Sequence, residues 1–264
     1  MEIKDKIVWI TGASSGIGEA LAYAYAREKA KIIISSNQVE ELETVRKKCL
    51  EMNADVIAVA FDLISQESIK QAVGQVLNKY GKVDLLINNG GISQRSLIRE
   101  TPLDIDRKLM DVNYFGGVYL TKLILPSMIK QKQGHIAVTS SIVGKFGFPL
   151  RSAYSASKHA ILGFYETLRF EEEENNIKVT IIIPGRVKTN ISINAVTKDG
   201  QTYGKMDEGQ NDGISAEASA RIIIKAIKRN KKEVLVGGKE LLMVHFRRFI
   251  PILFNKLTSK IKHT

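Results

Sequence analysis

The sequence predicts an α/β fold, a parallel doubly wound sheet of about seven strands flanked by helices. Three observations predict it. Seven short apolar runs recur along the chain, helical stretches separate them, and the first run passes through a glycine-rich turn straight into a helix. Alternating strands and helices imply parallel pairing with right-handed crossovers. At 264 residues the chain suits one large α/β domain with a substantial core.

The elements follow in order. Ile7, Val8, Trp9 and Ile10 form the unbroken apolar run expected of a buried parallel strand. Gly12, Gly16 and Gly18 follow, and then Ile17, Leu21, Ala22, Tyr25 and Ala26 recur on one helical face. Glycines in such a turn allow a tight bend and let backbone amides approach a pyrophosphate at the helix N-terminus. Further strands are expected at 32–35, 56–61, 84–88, 135–140, 179–184 and 233–238, with long helices around 103–131 and 151–174. No repeat, low-complexity segment or linker divides the chain, so residues 1–238 are expected to form one domain. Residues 239–264 form a basic extension to it.

In the run YSASK, Tyr154 and Lys158 stand four residues apart and would share a helix face. A free phenol titrates near ~10, and a fixed positive charge beside it favours the phenolate. A tyrosine so placed can exchange a proton with an alcohol or a carbonyl near neutral pH. Ser141 lies thirteen residues earlier.

At these residues the chain resembles the short-chain dehydrogenase/reductase family. TGASSGIG at Thr11–Gly18 is similar to its T-G-x-x-x-G-x-G cofactor fingerprint, and NNGG at Asn88–Gly91 to its N-N-A-G motif, with Gly90 replacing the alanine. Asn113 in DVNYFGG, Ser141 in VTSS, and Tyr154 and Lys158 in YSASK match its catalytic tetrad. PGRVKT at Pro184–Thr189 resembles its P-G-x-V-x-T segment. The resemblance spans residues 5–236 in the family's order.

It implies a Rossmann-type NAD(P)-binding domain and interconversion of a carbonyl and an alcohol by hydride transfer. Tyr154 would exchange the proton, Ser141 would hydrogen-bond the substrate oxygen, and Lys158 would lower the tyrosine pKa and hold the nicotinamide ribose. Asn113 would position a water linking Lys158 to solvent. Gly12, Ser14, Ser15, Gly16, Ile17 and Gly18 would meet the phosphates, and Asp62 and Leu63 the adenine. Asn88, Gly90 and Gly91 would line the adenine ribose. Pro184, Gly185 and Val187 would lie beside the nicotinamide, with Thr189 on its carboxamide. Asp62 also reads as a helix N-terminal acid, and both roles can coexist.

The end of the second strand, Ser35, Ser36 and Asn37, bears on the cofactor. An acid there accepts from the adenosine 2′-OH of NAD, but no carboxylate occurs before Glu40. Hydroxyl and amide donors suit a 2′-phosphate, which favours NADP(H) over NAD(H).

Residues 190–215 form a long polar segment that in the family lids the substrate pocket. Ile191, Ile193, Val196, Tyr203 and Met206 are its apolar candidates for substrate contact. The extension from Lys239 carries six Lys/Arg against one Glu and reads as two short amphipathic helices broken near Pro251. Phe246, Phe249, Ile250, Leu253, Phe254 and Leu257 would be available for burial. Two readings stay open: this face packs on protein, or it lies in a membrane interface. Either fits a hydrophobic, lipid-like ketone or aldehyde.

The net charge of +11 is spread over helices and tail with no nucleic-acid-binding motif beside it, so nucleic acid is not an expected partner. His135, His159, His245 and His263 lack metal-ligand spacing, and no metal is expected. The single Cys49, with no apolar leader and no apolar stretch of spanning length, points to a cytoplasmic location with at most peripheral membrane contact. Family members associate through their two long helices, so a homodimer or homotetramer is expected. A sugar-nucleotide epimerase is disfavoured by the glycine spacing. A catalytically silent NADP-binding regulator with a membrane-associating tail would be marked by a broken tetrad, and all four members are present.

Overall fold

The computed structural model describes residues 1–258, the side chain of Leu257 excepted. The expectations for Leu257 and for the basic residues Lys260 and Lys262 lie outside the described residues.

The chain opens with β1 (Ile7–Thr11), α1 (Gly16–Arg27), β2 (Lys31–Ser35), α2 (Val39–Glu51), β3 (Asp55–Ala58), α3 (Gln66–Tyr80) and β4 (Leu85–Asn88). A two-residue strand β5 (Gln94–Arg95) precedes α4 (Leu103–Met110) and α5 (Gly116–Lys130), which a π turn at Asp111–Phe115 joins. Then come β6 (Gly134–Thr139), α6 (Ser152–Glu171), β7 (Ile177–Pro184), β8 (Val196–Thr197), α7 (Glu208–Asn211), α8 (Ala216–Lys228) and β9 (Glu233–Val236). The tail forms α9 (Leu242–Phe249) and α10 (Pro251–Thr258).

Seven strands pair in the order β3-β2-β1-β4-β6-β7-β9, every neighbour parallel. Strand periodicity sorts the apolar runs onto two faces. Val8, Ile10, Ile32, Ile34, Leu85 and Ile87 pack with α1, α2 and α8. Ile7, Trp9, Ile33, Leu86 and Ile136 pack with α3, α5 and α6. Both faces are covered, which explains why these strands read as continuous apolar runs rather than alternating ones.

The order in which the chain adds strands reverses between β1 and β4, β2 and β3 lying to one side and β6, β7 and β9 to the other. A crevice opens there beyond the carboxyl ends of the strands, the place where such sheets bind ligands.

The strand expected at 233–238 ends at Val236, and other elements also differ from the sequence reading. The strand expected at 56–61 ends at Ala58, although Val59 and Phe61 still donate to the Ile34 and Ser36 carbonyls as the chain peels away. The helix expected over 103–131 carries the π turn, where the Gly116 N–H reaches back to the Asp111 carbonyl. The segment 190–215 is not a structureless loop. β8 pairs with β5, Val187 bridges to Ile214, and α7 lies within it.

Candidate active site

A cleft of about 1770 Å³ runs along the carboxyl ends of β1, β2, β4, β6 and β7. It exceeds the ~300–1,000 Å³ typical of small-molecule pockets, leaving room for a dinucleotide and a substrate together.

The glycine turn after β1 forms one wall. Gly12 and Gly16 hold φ of +62° and +60°, where L side chains are strained. A Cβ on Gly12 would stand 2.6 Å from Gly90 Cα, and one on Gly16 would stand 2.9 Å from Thr189 Cγ2. Gly18 does not line the cleft. A Cβ there would meet the Gly12 carbonyl at 2.1 Å, so this glycine lets α1 seat on the turn. Ser15 is the N-cap residue of α1 without a side-chain capping bond, and it lines the cleft with Ser14, Gly16 and Ile17. A helix N-terminus carries partial positive charge and amides that the helix itself cannot satisfy, which suits a phosphate. Residues and shape here fit a dinucleotide.

At the end of β2, the Ser35 hydroxyl accepts from the Trp9 indole N–H at 2.8 Å and is fully buried. Ser35, Ser36 and Asn37 line the cleft. Ser14 Oγ lies 3.0 Å from Ser36 Oγ and donates to Gln38 Oε1 at 2.9 Å. Asp62 and Leu63 also line it, and the Asp62 carboxylate accepts from the Ile64 N–H on the approach to α3.

After β4, Gly90 and Gly91 line the cleft but Asn88 does not. Its side-chain amide donates to Thr121 Oγ1 at 2.9 Å and Tyr165 Oη at 3.0 Å. The neighbouring Asn89, which the sequence reading passed over, donates to the Thr11 and Gly12 carbonyls and clamps the two turns together. Pro184, Gly185, Val187 and Thr189 border the far end.

Ser141, Tyr154 and Lys158 converge in the middle. Ser141 leaves β6 in extended backbone, its Oγ accepting from the Val143 N–H at 3.3 Å. Tyr154 sits near the start of α6, where Gln94 Oε1 accepts from the Ala153 and Tyr154 N–H groups. This fully buried glutamine anchors the helix that carries the phenol, a role its sequence position gave no sign of. Lys158 Nζ donates to the Thr139 carbonyl at 2.8 Å and lies 5.7 Å from the Tyr154 ring centroid.

Burial pushes the Tyr154 phenol above its ordinary value, while Ser141 and the Arg151 and Arg95 charges pull it back. Burial also lowers the Lys158 ammonium to about 8. The positive groups that pull the phenol down are thus two arginines that the motif itself does not contain.

Asn113, in the π turn, is buried behind the cleft and does not line it. Its Oδ1 accepts from the Ile92 N–H at 2.8 Å, and its Nδ2 donates to the Ile92 carbonyl and Ser157 Oγ, each at 3.0 Å. It fixes the segment after β4 against α6.

Ile142, Val143, Phe146, Phe148, Leu150 and Met243 form the apolar side of the cleft. From the segment 190–215, Ile191, Val196, Tyr203 and Met206 line it, and Ile193 does not. Glu240 at the start of the tail accepts from the Arg186 and Gly238 N–H groups at 2.7 and 2.9 Å. Burial opposes its charge, but these backbone bonds prevail and hold the carboxyl below its ordinary pKa. Among the described residues no group of acids, histidines and cysteines is arranged to hold a metal.

A cleft so built defines a class, the nicotinamide-dependent oxidoreductases that act on a CH–OH group. Comparison with known proteins narrows it: this chain belongs to the short-chain dehydrogenase/reductase family. Residues 6–200 match the family described as short chain dehydrogenase. The chain is 47% identical over 240 residues to dehydrogenase/reductase SDR family protein 7-like of Anopheles gambiae, covering 89% of this chain and 76% of that one. It is 43% identical over 262 residues to dehydrogenase/reductase SDR family member 7B of Mus musculus, covering 97% and 81%. A short-chain dehydrogenase/reductase from Burkholderia phymatum, crystallised in complex with NAD, superposes with a TM-score of 0.85 at 23% identity, covering 96% of each chain. That likeness shows the shared fold.

Proposed function

We propose that the enzyme reduces a hydrophobic ketone or aldehyde with NADPH, Tyr154 acting as proton donor. The observation that carries this reading is the buried Tyr154 phenol facing Ser141, with Lys158 beside it and apolar side chains along the rest of the wall. Bound NADPH supplies the hydride to the carbonyl carbon. As the carbonyl π electrons move onto oxygen, the phenol donates its proton to that oxygen and becomes phenolate. Ser141 donates a hydrogen bond to the same oxygen, stabilising its developing charge. Burial keeps the phenol protonated at neutral pH, the state that reduction requires.

Lys158 uses one donor on the Thr139 carbonyl, and its remaining donors suit the nicotinamide ribose. Both Asn113 side-chain donors are engaged and its Oδ1 already accepts from Ile92, so a water relay from Lys158 would rest on the one remaining Oδ1 lone pair. Gly12, Ser14, Ser15, Gly16 and Ile17 would hold the phosphates. Gly18, Asn88 and Asn113 would support these groups from behind, and Ser35 would support its neighbours through Trp9.

The NADPH preference rests on Ser36, Asn37 and Gln38 standing where an acid would repel a 2′-phosphate. NADPH and NADH oxidation in parallel over a graded series of ketones tests both parts. Turnover with NADPH at a kcat/KM at least tenfold above NADH supports the preference, and the reverse ratio contradicts it. We further propose a homo-oligomer formed through α4, α5, the π turn that joins them, and α6, with Phe115 in that turn 54% exposed and Phe170 on α6 70% exposed.

A further inference from the structure

Two arginines, Arg95 buried and Arg151 partly buried, meet one carboxylate in the cleft. Arg95 (β5) gives its Nε and Nη2 to the two Asp207 oxygens and its Nη1 to the Gln94 carbonyl at 2.8 Å. Arg151, just ahead of α6, donates from Nη2 to Asp207 Oδ2 at 2.8 Å and from Nη1 to the Pro149 carbonyl at 3.2 Å. Arg95 stacks 5.6 Å over the Tyr203 ring and Arg151 4.9 Å over the Phe148 ring. Among the described residues neither has a second carboxylate partner. The cluster therefore keeps one positive charge in surplus inside a largely buried wall.

Leaving a buried charge incompletely paired is unfavourable unless something else meets it. Here the surplus lies beside Tyr154, which feels both arginines, and mutual repulsion adds to burial in bringing Arg151 down to about 10. The carboxylate comes from the lid. Asp207 is the residue before α7, and its N–H donates to Ser192 within the same segment. The arginines belong to the body, one on β5 and one at the start of α6. Planar guanidinium forks already oriented by backbone carbonyls and aromatic rings are suited to a carboxylate or phosphate.

We propose that Arg95 and Arg151 form a subsite for an anionic group on the carbonyl substrate, occupied by Asp207 in the free enzyme. The substrate's carboxylate or phosphate takes over the forks, and Asp207 withdraws with the lid. This selects an amphiphilic carbonyl compound, with its anion on the arginines and its apolar part along Phe146, Phe148 and Met243. The inference rests on the reductase reading and refines its substrate.

The test uses a long-chain keto acid, its methyl ester, and the phosphate monoester of the matching keto alcohol. Initial rates are measured with NADPH, and each compound is titrated calorimetrically into enzyme saturated with NADP⁺. In wild type both anions should exceed the ester in kcat/KM by ~10- to 100-fold, chiefly through KM, the range expected for charge-assisted hydrogen bonds. Whichever anion has the higher ratio identifies the headgroup. Arg151→Gln should bring the ratio towards one, and Arg151→Lys should restore part of it. Asp207→Asn, which removes the competing carboxylate, should tighten anion binding.

A wild type that treats acid, phosphate and ester alike overturns the subsite while leaving the reductase standing. A staple that only orders the lid predicts that Arg151→Gln and Asp207→Asn weaken all three compounds equally, and that result also overturns the proposal. If no compound is turned over, the reductase reading fails for this class, and the calorimetric ratio still decides the subsite.

Discussion

Tyr154 is pulled in two directions, burial favouring the neutral phenol and Ser141, Arg151 and Arg95 favouring the phenolate. Tyr154→Phe deletes the proton donor but keeps the ring that packs with Phe146 and Phe254. It should lower kcat by ~10²- to 10⁴-fold, the range for general acid catalysis, with NADPH affinity nearly unchanged. Stopped-flow turnover and fluorescence titration of the cofactor check the two halves. Alcohol oxidation needs the phenolate, so its rate rises with pH through the Tyr154 pKa. Arg151→Gln removes a charge that lowers this pKa, and the rising limb should move to higher pH. A pH–rate profile with an uncharged alcohol reads that shift, and an unmoved limb would show that Arg151 does not act on the phenol.

Tyr154, Lys158 and Ser141 were legible because they sit in short local runs. The partners around them were not. Gln94 reaches α6 from 59 residues away, and Asp207 meets Arg95 across 112. No spacing rule links residues brought together only by the crossing of β5, β8 and α6. Asn88 shows the converse: a motif marked the segment, but which of two adjacent asparagines faces the cleft depends on strand register.

At the scale of elements, the turn after β1 depends on backbone geometry that other residues resist. Gly12→Ala would bring Cβ onto the Gly90 backbone and force alanine to positive φ. A strained site of that kind loses more than ~1 kcal/mol, so both thermal stability and cofactor affinity should fall. A variant retaining wild-type NADPH affinity would show that the turn does not cradle the cofactor.

β6 carries a second prediction. His135 is 2% exposed, with Nε2 at 2.9 Å from Thr180 Oγ1, and Thr180 itself donates to the Lys231 carbonyl. Thr180 therefore accepts, and His135 is the neutral tautomer with its proton on Nε2. Burial, reinforced by the N-terminal ammonium and Lys178, lowers its pKa from 6.5 to about 4. Between those values the unfolded chain binds a proton that the native one does not. The stability this neutral ring contributes is present above the unfolded pKa and is lost as pH falls towards the folded one. About 2 kcal/mol should disappear between pH 7 and 5. Urea unfolding at both pH values checks it, with His135→Gln expected to show a smaller loss.

The strands were readable as continuous apolar runs because both sheet faces are covered. The π turn was not, since its extra residue per turn leaves the apolar pattern of the long helix almost intact.

The whole molecule couples its tail to the site. Phe254 of α10 is 5% exposed and meets Phe146 edge-to-face at 5.1 Å, in the same cluster as Tyr154. Phe249, Ile250, Ile252 and Leu253 remain exposed beside Arg247 and Arg248. Of the apolar side chains expected to be available for burial, Phe254 thus packs on the body, whereas Phe249, Ile250 and Leu253 do not. None of the described helices is long and apolar enough to cross a membrane.

Tail helices can detach without unfolding the sheet. Phe254→Ala should therefore raise KM for apolar ketones several-fold while shifting Tm by only a few degrees. A cooperative loss of several kcal/mol, as for a central core phenylalanine, would show that the tail is integral to the fold. Light scattering should give twice or four times the chain mass, and Phe115→Glu with Phe170→Glu should lower it.

The most direct measurement is NADPH oxidation by the purified enzyme across carbonyl compounds graded from small and polar to long-chain, with Tyr154→Phe in parallel. The expected result is turnover rising with apolar length and nearly abolished in the variant while cofactor still binds. Turnover that survives in Tyr154→Phe would contradict the assignment of the proton donor.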